Sequence, residues 1–231
     1  MSTIRIPDVI RNYPRVSAEL VKEAATLPAA ILADVYGRRG TVSGRIAALS
    51  PAMKVAGPAL TVEVRPGDNL MIHAALSIAQ PGDVIIVDGK GDQTCALIGE
   101  IMASQAIAIG VAGMVLDAAV RDVEALRAKG FPVFSFGCNP CGPTKRVPGR
   151  VNHPISIGGI PVNAGDLVVG DADGVVVIER ERVAETIRLG RKKVADEAKR
   201  LEGIARREQL TPGWLAPALK EADVLIEEAM Q

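Results

Sequence analysis

Aromatic side chains are scarce: one Trp, two Tyr and three Phe in 231 residues, 3% of a chain whose apolar content is 48%. A core without large rings must be filled by Ala, Val, Ile and Leu, which suits closely packed layers of helix and sheet. Net charge is missing as well, since 27 Lys and Arg balance 27 Asp and Glu. No global field then draws the chain to nucleic acid or to an anionic membrane, and neither is expected as a partner. Three cysteines, Cys95, Cys138 and Cys141, do not make a secreted disulfide framework. The opening "MSTIRIPDVI" lacks an apolar signal core. No run reaches the roughly 20 apolar residues that span a bilayer. A cytoplasmic location is the expectation. With two histidines and no G-x-S-x-G elbow, a Ser–His–Asp hydrolase has little support.

What is present is an alternation of strand and helix signals. "SAELVKEAATLPAAILADVYG" predicts one or two helices, with Pro28 as a break or restart and Gly37 as a stop. "GRIAALSP" and "ALTVEVR" predict strands, and "DNLMIHAALSIAQPGD" a helix ended by Pro81-Gly82. "VIIVDG" is continuously apolar, as in a strand covered on both faces. "QTCALIGEIMASQAIAIG" predicts the next helix, "AGMVLDA" a strand, "DVEALRAKG" a helix and "FPVFSFG" a further strand. This order implies βαβ crossovers and a parallel sheet.

After residue 145 short strands follow one another across Gly-rich turns, then a charged amphipathic helix runs from Arg180, and "TPGWLAPAL" restarts a helix with Pro212 at its first position. The fold class expected is α/β. It is a layered sandwich with a parallel βαβ unit, a β-rich layer on or beside it and a C-terminal helical tail. The division expected is a core over 1–178 and a helical extension over 179–231, whose Trp214 packs on a neighbouring subunit.

Several motifs could carry chemistry. "CNPC" has the spacing of half a zinc site, but no second C-x-x-C exists and only Cys95, His73 and His153 could add soft ligands. His73, among apolar neighbours, reads as a packed histidine before a catalytic base. "VDGKGD" puts Asp88, Lys90 and Asp92 at the carboxyl end of a parallel strand, where ligands gather. A Schiff-base role for Lys90 is opposed by those two carboxylates, which would raise its pKa. "GDADG" lacks the later Glu of a calcium loop and reads as a tight turn.

"AAVRD" leaves a buried strand on two opposite charges, Arg121 and Asp122. Asp122 could simply cap the helix that follows. Alternatively, Asp122 holds a hard divalent cation while Arg121 clamps an oxyanion. "LIGEIMAS" supplies a possible second half. There Gly99 permits close approach, the amides of a helix start bind carboxylate, and Glu100 adds a second acid near the metal.

The stretch from "GEIMASQAIAIGVAGMVLDAAVRD" to "GDADGVVVI" resembles the family that unites ribonuclease E activity regulator A-like proteins with class II pyruvate aldolases. The likeness covers roughly residues 15 to 220. It implies an α/β sandwich assembling as a homotrimer or homohexamer, with sites at subunit interfaces. It further implies a lyase that cleaves 4-hydroxy-4-methyl-2-oxoglutarate or 4-carboxy-4-hydroxy-2-oxoadipate to pyruvate, with oxaloacetate decarboxylation as a side activity. By the match, backbone from Gly99 through Glu100 and Ile101 to Met102 binds the pyruvate carboxylate, and Arg121 binds the keto acid. Asp122 is then the ligand of Mg or Mn, and Glu100 contacts the metal through water. A tail glutamate from a neighbouring subunit joins the site; Glu197 is the best match and Glu202 lies close by. The long tail favours the aldolase branch over a ribonuclease-binding regulator, while a lyase for another 2-keto acid would share every one of these residues.

Overall fold

The computed structural model describes residues 6–208 and 210–225. Two compact units are distinguished, Met1–Gly190 and Arg191–Gln231. In the first, a mostly parallel sheet is ordered β1-β5-β4-β3-β2-β9-β10. Its strands are β1 (Ala47–Ala48), β2 (Val55–Glu63), β3 (Val84–Ile98), β4 (Gly113–Val120), β5 (Val133–Cys138), β9 (Leu167–Asp171) and β10 (Gly174–Ile178). β2 through β5 run parallel, with α3 (Leu70–Leu76), α4 (Glu100–Ile109) and α5 (Val123–Lys129) in the three crossovers. β9 joins antiparallel to β2. The β-rich segment therefore extends the same sheet, while β7 (Ile155–Ile157) and β8 (Ile160–Val162) form a separate ribbon. The short β6 (Arg150–Val151) pairs with β2.

The run "VIIV" is covered on both faces, as its lack of alternation predicts. Ile85 and Val87 enter the cluster under α3, α4 and α5, whereas Val84 and Ile86 pack with Val115, Phe134, Ile157 and Val175. A third cluster joins α1 (Ala18–Ala24) and α2 (Ala29–Val35) to β9 and β10. Pro28 does separate two helices. Pro28 gives α2 no side-chain cap of its own, and Asp171 in the "GDADG" hairpin turn accepts the Ala29 amide at 2.9 Å.

Some expectations are corrected. "QTCALI" is not helical: β3 continues as strand to Ile98, with register shifts beyond Val87, and α4 starts only at Glu100. Its apolar residues Cys95 to Ile98 fill the core from a strand, which the helical reading of the 18-residue run concealed. "GRIAALSP" contributes just the two-residue β1, and "DNLMIHAALSIAQPGD" just the seven-residue α3. In the tail, α6 (Val183–Ala205) is long, as expected, and α7 (Leu215–Glu221) begins three residues after Pro212. The last stretch of the expected final helix, 226–231, lies outside the described residues. Among the described residues, no helix is long and apolar enough to cross a membrane.

Candidate active site

β3 and β4 end side by side, and their carboxyl ends deliver Gly99-Glu100 and Arg121-Asp122 to one place. The Arg121 amide donates to Ile98 O at 3.0 Å, closing the two strand ends together. Asp122 then turns the chain with φ 58° and ψ 38°. That left-handed conformation is uncommon for a residue with a side chain, though Asp tolerates it better than most. The turn has a consequence for the expected cap: the Asp122 side chain makes no capping bond to its own helix α5. Its Oδ2 instead accepts the Glu100 amide at 2.9 Å, capping α4 from 22 residues away.

Gly99 makes this approach possible. Its backbone is extended, so the requirement is for space: a Cβ there would sit 2.3 Å from Asp122 Oδ2 and 3.0 Å from Arg121 Cγ. With the Glu100 amide taken, the next first-turn amides of α4, those of Ile101 and Met102, have no acceptor inside the helix. They give this ten-residue helix a partial positive end.

These groups line a cavity of about 170 Å³, with Gly99, Ile101, Met102, Arg121 and Asp122 in its wall. Glu100 is not in that wall: its amide bonds to Asp122 Oδ2, and its carboxylate pairs with Lys129 at 3.1 Å. Glu197 and Glu202 belong to the second unit, where each pairs one turn along α6, Glu197 with Lys193 and Glu202 with Arg206. The wall also holds residues that sequence reasoning missed or discounted: Asn69, His73, Pro143 and Lys145. Asn69 ties α3 to the site by donating to Leu97 O at 2.8 Å and to Met102 Sδ, and its Oδ1 is buried without a partner. His73 Nε2 is likewise buried and unpartnered. Burial, with a smaller contribution from nearby Lys145, lowers the His73 pKa.

Could these residues hold a metal ion? Both contacts of the Asp122 carboxylate use Oδ2, namely the Glu100 amide and Arg121 Nε at 3.8 Å, so Oδ1 is open. Among the described residues no three His, Cys, Asp or Glu side chains converge as a metal cage. The described residues therefore do not build a closed zinc-type site. One open carboxylate oxygen does fit a hard ion that keeps most of its waters and takes further oxygens from substrate.

Lys90 is tied down elsewhere. Its Nζ reaches Asp88 Oδ2 at 2.5 Å and Glu63 Oε1 at 3.2 Å. Burial would lower its pKa, but the bonds to the two carboxylates outweigh that and raise it. A charged, paired ammonium is a poor nucleophile. The cysteines are free thiols, Cys95 buried and the other two exposed.

The family profile described as Aldolase/RraA, RraA-like, matches residues 18–177. The chain belongs to the RraA-like family. Within it, a Halalkalibacterium halodurans protein named "Putative 4-hydroxy-4-methyl-2-oxoglutarate aldolase" is 38% identical over 187 residues, covering 81% of this chain and 89% of that protein. A crystal structure of an uncharacterized protein from Pseudomonas syringae pv. tomato matches with TM-score 0.75 and 28% identity, over 84% of this chain and 96% of that one. A crystal structure of Streptomyces coelicolor RraAS2, described as an unusual member of the RNase ES inhibitor RraA protein family, matches with TM-score 0.73 and 27% identity. That match covers 84% of this chain and 99% of the other. The RraA-like fold thus carries names from both an enzyme and an inhibitor branch.

Proposed function

We propose that this RraA-like protein is a divalent-metal-dependent lyase of the class II pyruvate aldolase type. Its substrates are 4-hydroxy-4-methyl-2-oxoglutarate, 4-carboxy-4-hydroxy-2-oxoadipate, or both. The observation that carries this reading is the meeting, in one cavity, of the open first turn of α4, the Arg121 guanidinium and an open oxygen of Asp122. The first two recognise an anion, and the third can hold a cation.

Asp122 would hold magnesium or manganese, with Glu100 reaching it through water. When bound, the ion supplies Lewis-acid polarisation of the keto group. The amides of Ile101 and Met102 bind the C1 carboxylate, and the absent side chain at Gly99 lets it approach. Arg121 donates to the C2 oxygen. As the C4 hydroxyl gives up its proton, the C3–C4 bond breaks and its electron pair passes through C2–C3 to that oxygen. A carbonyl forms at C4. Arg121 faces the enolate oxygen, where a preorganised donor is worth about 3 kcal/mol. Protonation at C3 then gives pyruvate.

Glu100, together with Glu197 or the nearby Glu202 from a neighbouring copy, orients the water that takes up the hydroxyl proton. On this reading the protein is a homotrimer or homohexamer, with the extension over 179–231 completing the site of the next subunit. Loss of carbon dioxide from oxaloacetate leaves the same enolate, so decarboxylation accompanies the main activity.

Product analysis tests the assignment. The methyl substrate should yield only pyruvate, and the carboxy substrate pyruvate with oxaloacetate. No pyruvate from either substrate with any divalent ion would sink the lyase reading in favour of the inhibitor branch represented by RraAS2.

A further inference from the structure

The "CNPC" motif has no part in the proposed reaction, and the fold separates its two thiols. Cys138 ends β5 opposite Val120 of β4. The chain then crosses the end of β4. The Asn139 amide donates to Val120 O at 3.0 Å, and Asn139 Nδ2 donates to Gln93 O, on β3, at 2.8 Å. Asn139 Oδ1 accepts the Cys141 amide at 2.8 Å, and Cys141 O accepts the amide of Ala96, again on β3, at 2.8 Å. With the sheet ordered β5-β4-β3, Cys138 belongs to one side of β4 and Cys141 to the other.

The neighbour of Cys141 is instead Cys95. The Cys141 carbonyl bonds the residue next to Cys95, and backbones joined in that way run about 5 Å apart. A disulfide spans Cα separations of roughly 4.4–6.8 Å. The Cys95 sulfur faces the same loop: it lies 3.5 Å from the place of a Cβ on Gly67, whose carbonyl accepts the Thr144 amide at 2.8 Å. Burial pushes the Cys95 thiol pKa up, and Asp92, Cys141 and Asp68 add to the rise. Access differs between the two, since Cys95 is buried and Cys141 exposed. An exposed thiol meets an oxidant first, and an adjacent cysteine can resolve it.

The residues after Cys141 bear on the cavity. Gly142 backs Arg121, since a Cβ there would lie 2.9 Å from Nη1, and Pro143 and Lys145 stand in the cavity wall. Cys141 Sγ rests 3.7 Å from Gly142 O. Reaching Cys95 takes the sulfur out of that contact and passes the movement to the backbone of Gly142 and Pro143.

We propose that Cys95 and Cys141 form a dithiol–disulfide switch, closed by hydroperoxides and opened by thiols, that shifts the 142–145 segment and lowers turnover. A hydroperoxide oxidises Cys141 to the sulfenic acid and is itself reduced to an alcohol, or to water when it is hydrogen peroxide. The Cys95 sulfur attacks the Cys141 sulfur, the S–O bond breaks, and hydroxide leaves with the Cys95 proton as water. An added dithiol reverses the bond by exchange and is oxidised to its own disulfide. The effect on turnover rests on the reading of the cavity as a 2-keto acid site; the bond and the shift of the segment do not.

The test treats the full chain with one equivalent of hydrogen peroxide and then with dithiothreitol. Peptide mapping should find a Cys95–Cys141 bond, with the loss of two hydrogens. Hydrogen exchange should change across 141–146. Pyruvate release should fall about tenfold and return with dithiothreitol. Cys141→Ser should keep the turnover of the reduced protein and resist peroxide, while Cys138→Ser should respond as the parent does. A Cys138–Cys141 bond, a sulfinic acid at Cys141, or a Cys95–Cys141 bond that leaves either the exchange or an existing turnover unchanged would each overturn the proposal. The bond with altered exchange, but no pyruvate release from the reduced protein, would retain the switch and reject the lyase. Pyruvate release without the bond would do the reverse.

Discussion

Asp122 caps the helix that starts at Glu100, not the one it precedes: its Oδ2 accepts the Glu100 amide at 2.9 Å while its own helix receives no side-chain cap. Capping across the α4 crossover ties the ends of β3 and β4 to each other. Both of the carboxylate's contacts, with the Glu100 amide and with Arg121, use Oδ2. Asp122→Ala should therefore remove both the proposed ion-holding oxygen and the lock on α4, abolishing turnover. Asp122→Asn should keep much of the cap yet still lose turnover. Calorimetric titration with magnesium or manganese checks this, and near-normal turnover in Asp122→Asn would refute the ligand role.

Gly99 and Gly142 should differ sharply. At Gly99 a Cβ meets a carboxylate oxygen at 2.3 Å, and that carboxylate is held by its bond to Glu100. At Gly142 the clash, at 2.9 Å, is with the far end of a flexible arginine. Gly99→Ala should cost about 100-fold in kcat, as small misplacements at a reacting centre do. Gly142→Ala should cost far less, because Arg121 can shift. Steady-state kinetics with circular dichroism as a folding control measures both.

Arg121→Ala should lower kcat about 100-fold or more through loss of the donor at the enolate oxygen. Arg121→Lys should recover little, since an ammonium does not reproduce the guanidinium fork. An unchanged kcat with only a raised KM would assign Arg121 to binding alone.

The acid limb of stability should report Asp68. Burial pushes its carboxyl up, but the bonds from Thr144, Arg146, Leu70 and Val147 outweigh it and bring the pKa down to about 2. A depressed folded value means that the contribution is present above the ordinary range near pH 4 and is lost as pH falls toward 2. Asp68→Asn should melt well below the parent protein at pH 6, with the gap narrowing by pH 3. A constant gap would contradict the assignment.

Lys90 should be chemically silent. Borohydride with pyruvate should add no mass to the protein, because the amine stays protonated between Asp88 and Glu63. A covalent adduct at Lys90 would point to Schiff-base chemistry instead.

Much of this was legible in the residues, for physical reasons. "VIIV" and "GMVL" announce buried parallel strands because nothing polar interrupts them, and the charges that follow must then lie at the carboxyl edge of the sheet. Local pattern failed where tertiary contact decided. "QTCALI" reads into a helix because its apolar residues run on into α4, and its strand conformation is fixed by pairing with β4, whose partner residues lie 22 to 26 positions later. The cap by Asp122 on another helix, and the hold of Asp68 on Thr144, Arg146 and Val147 across 76 to 79 residues, leave no trace at any short spacing. Asn69 and His73 looked like part of a packed helix, and their buried, unpartnered atoms emerge only once the cavity exists.

The most direct measurement follows pyruvate release from 4-hydroxy-4-methyl-2-oxoglutarate, coupled to lactate dehydrogenase, before and after EDTA and again with magnesium restored. The account predicts release that stops with the chelator and returns with the ion, and no release from Asp122→Ala at any stage. Release that EDTA leaves untouched, or that survives in Asp122→Ala, would contradict it.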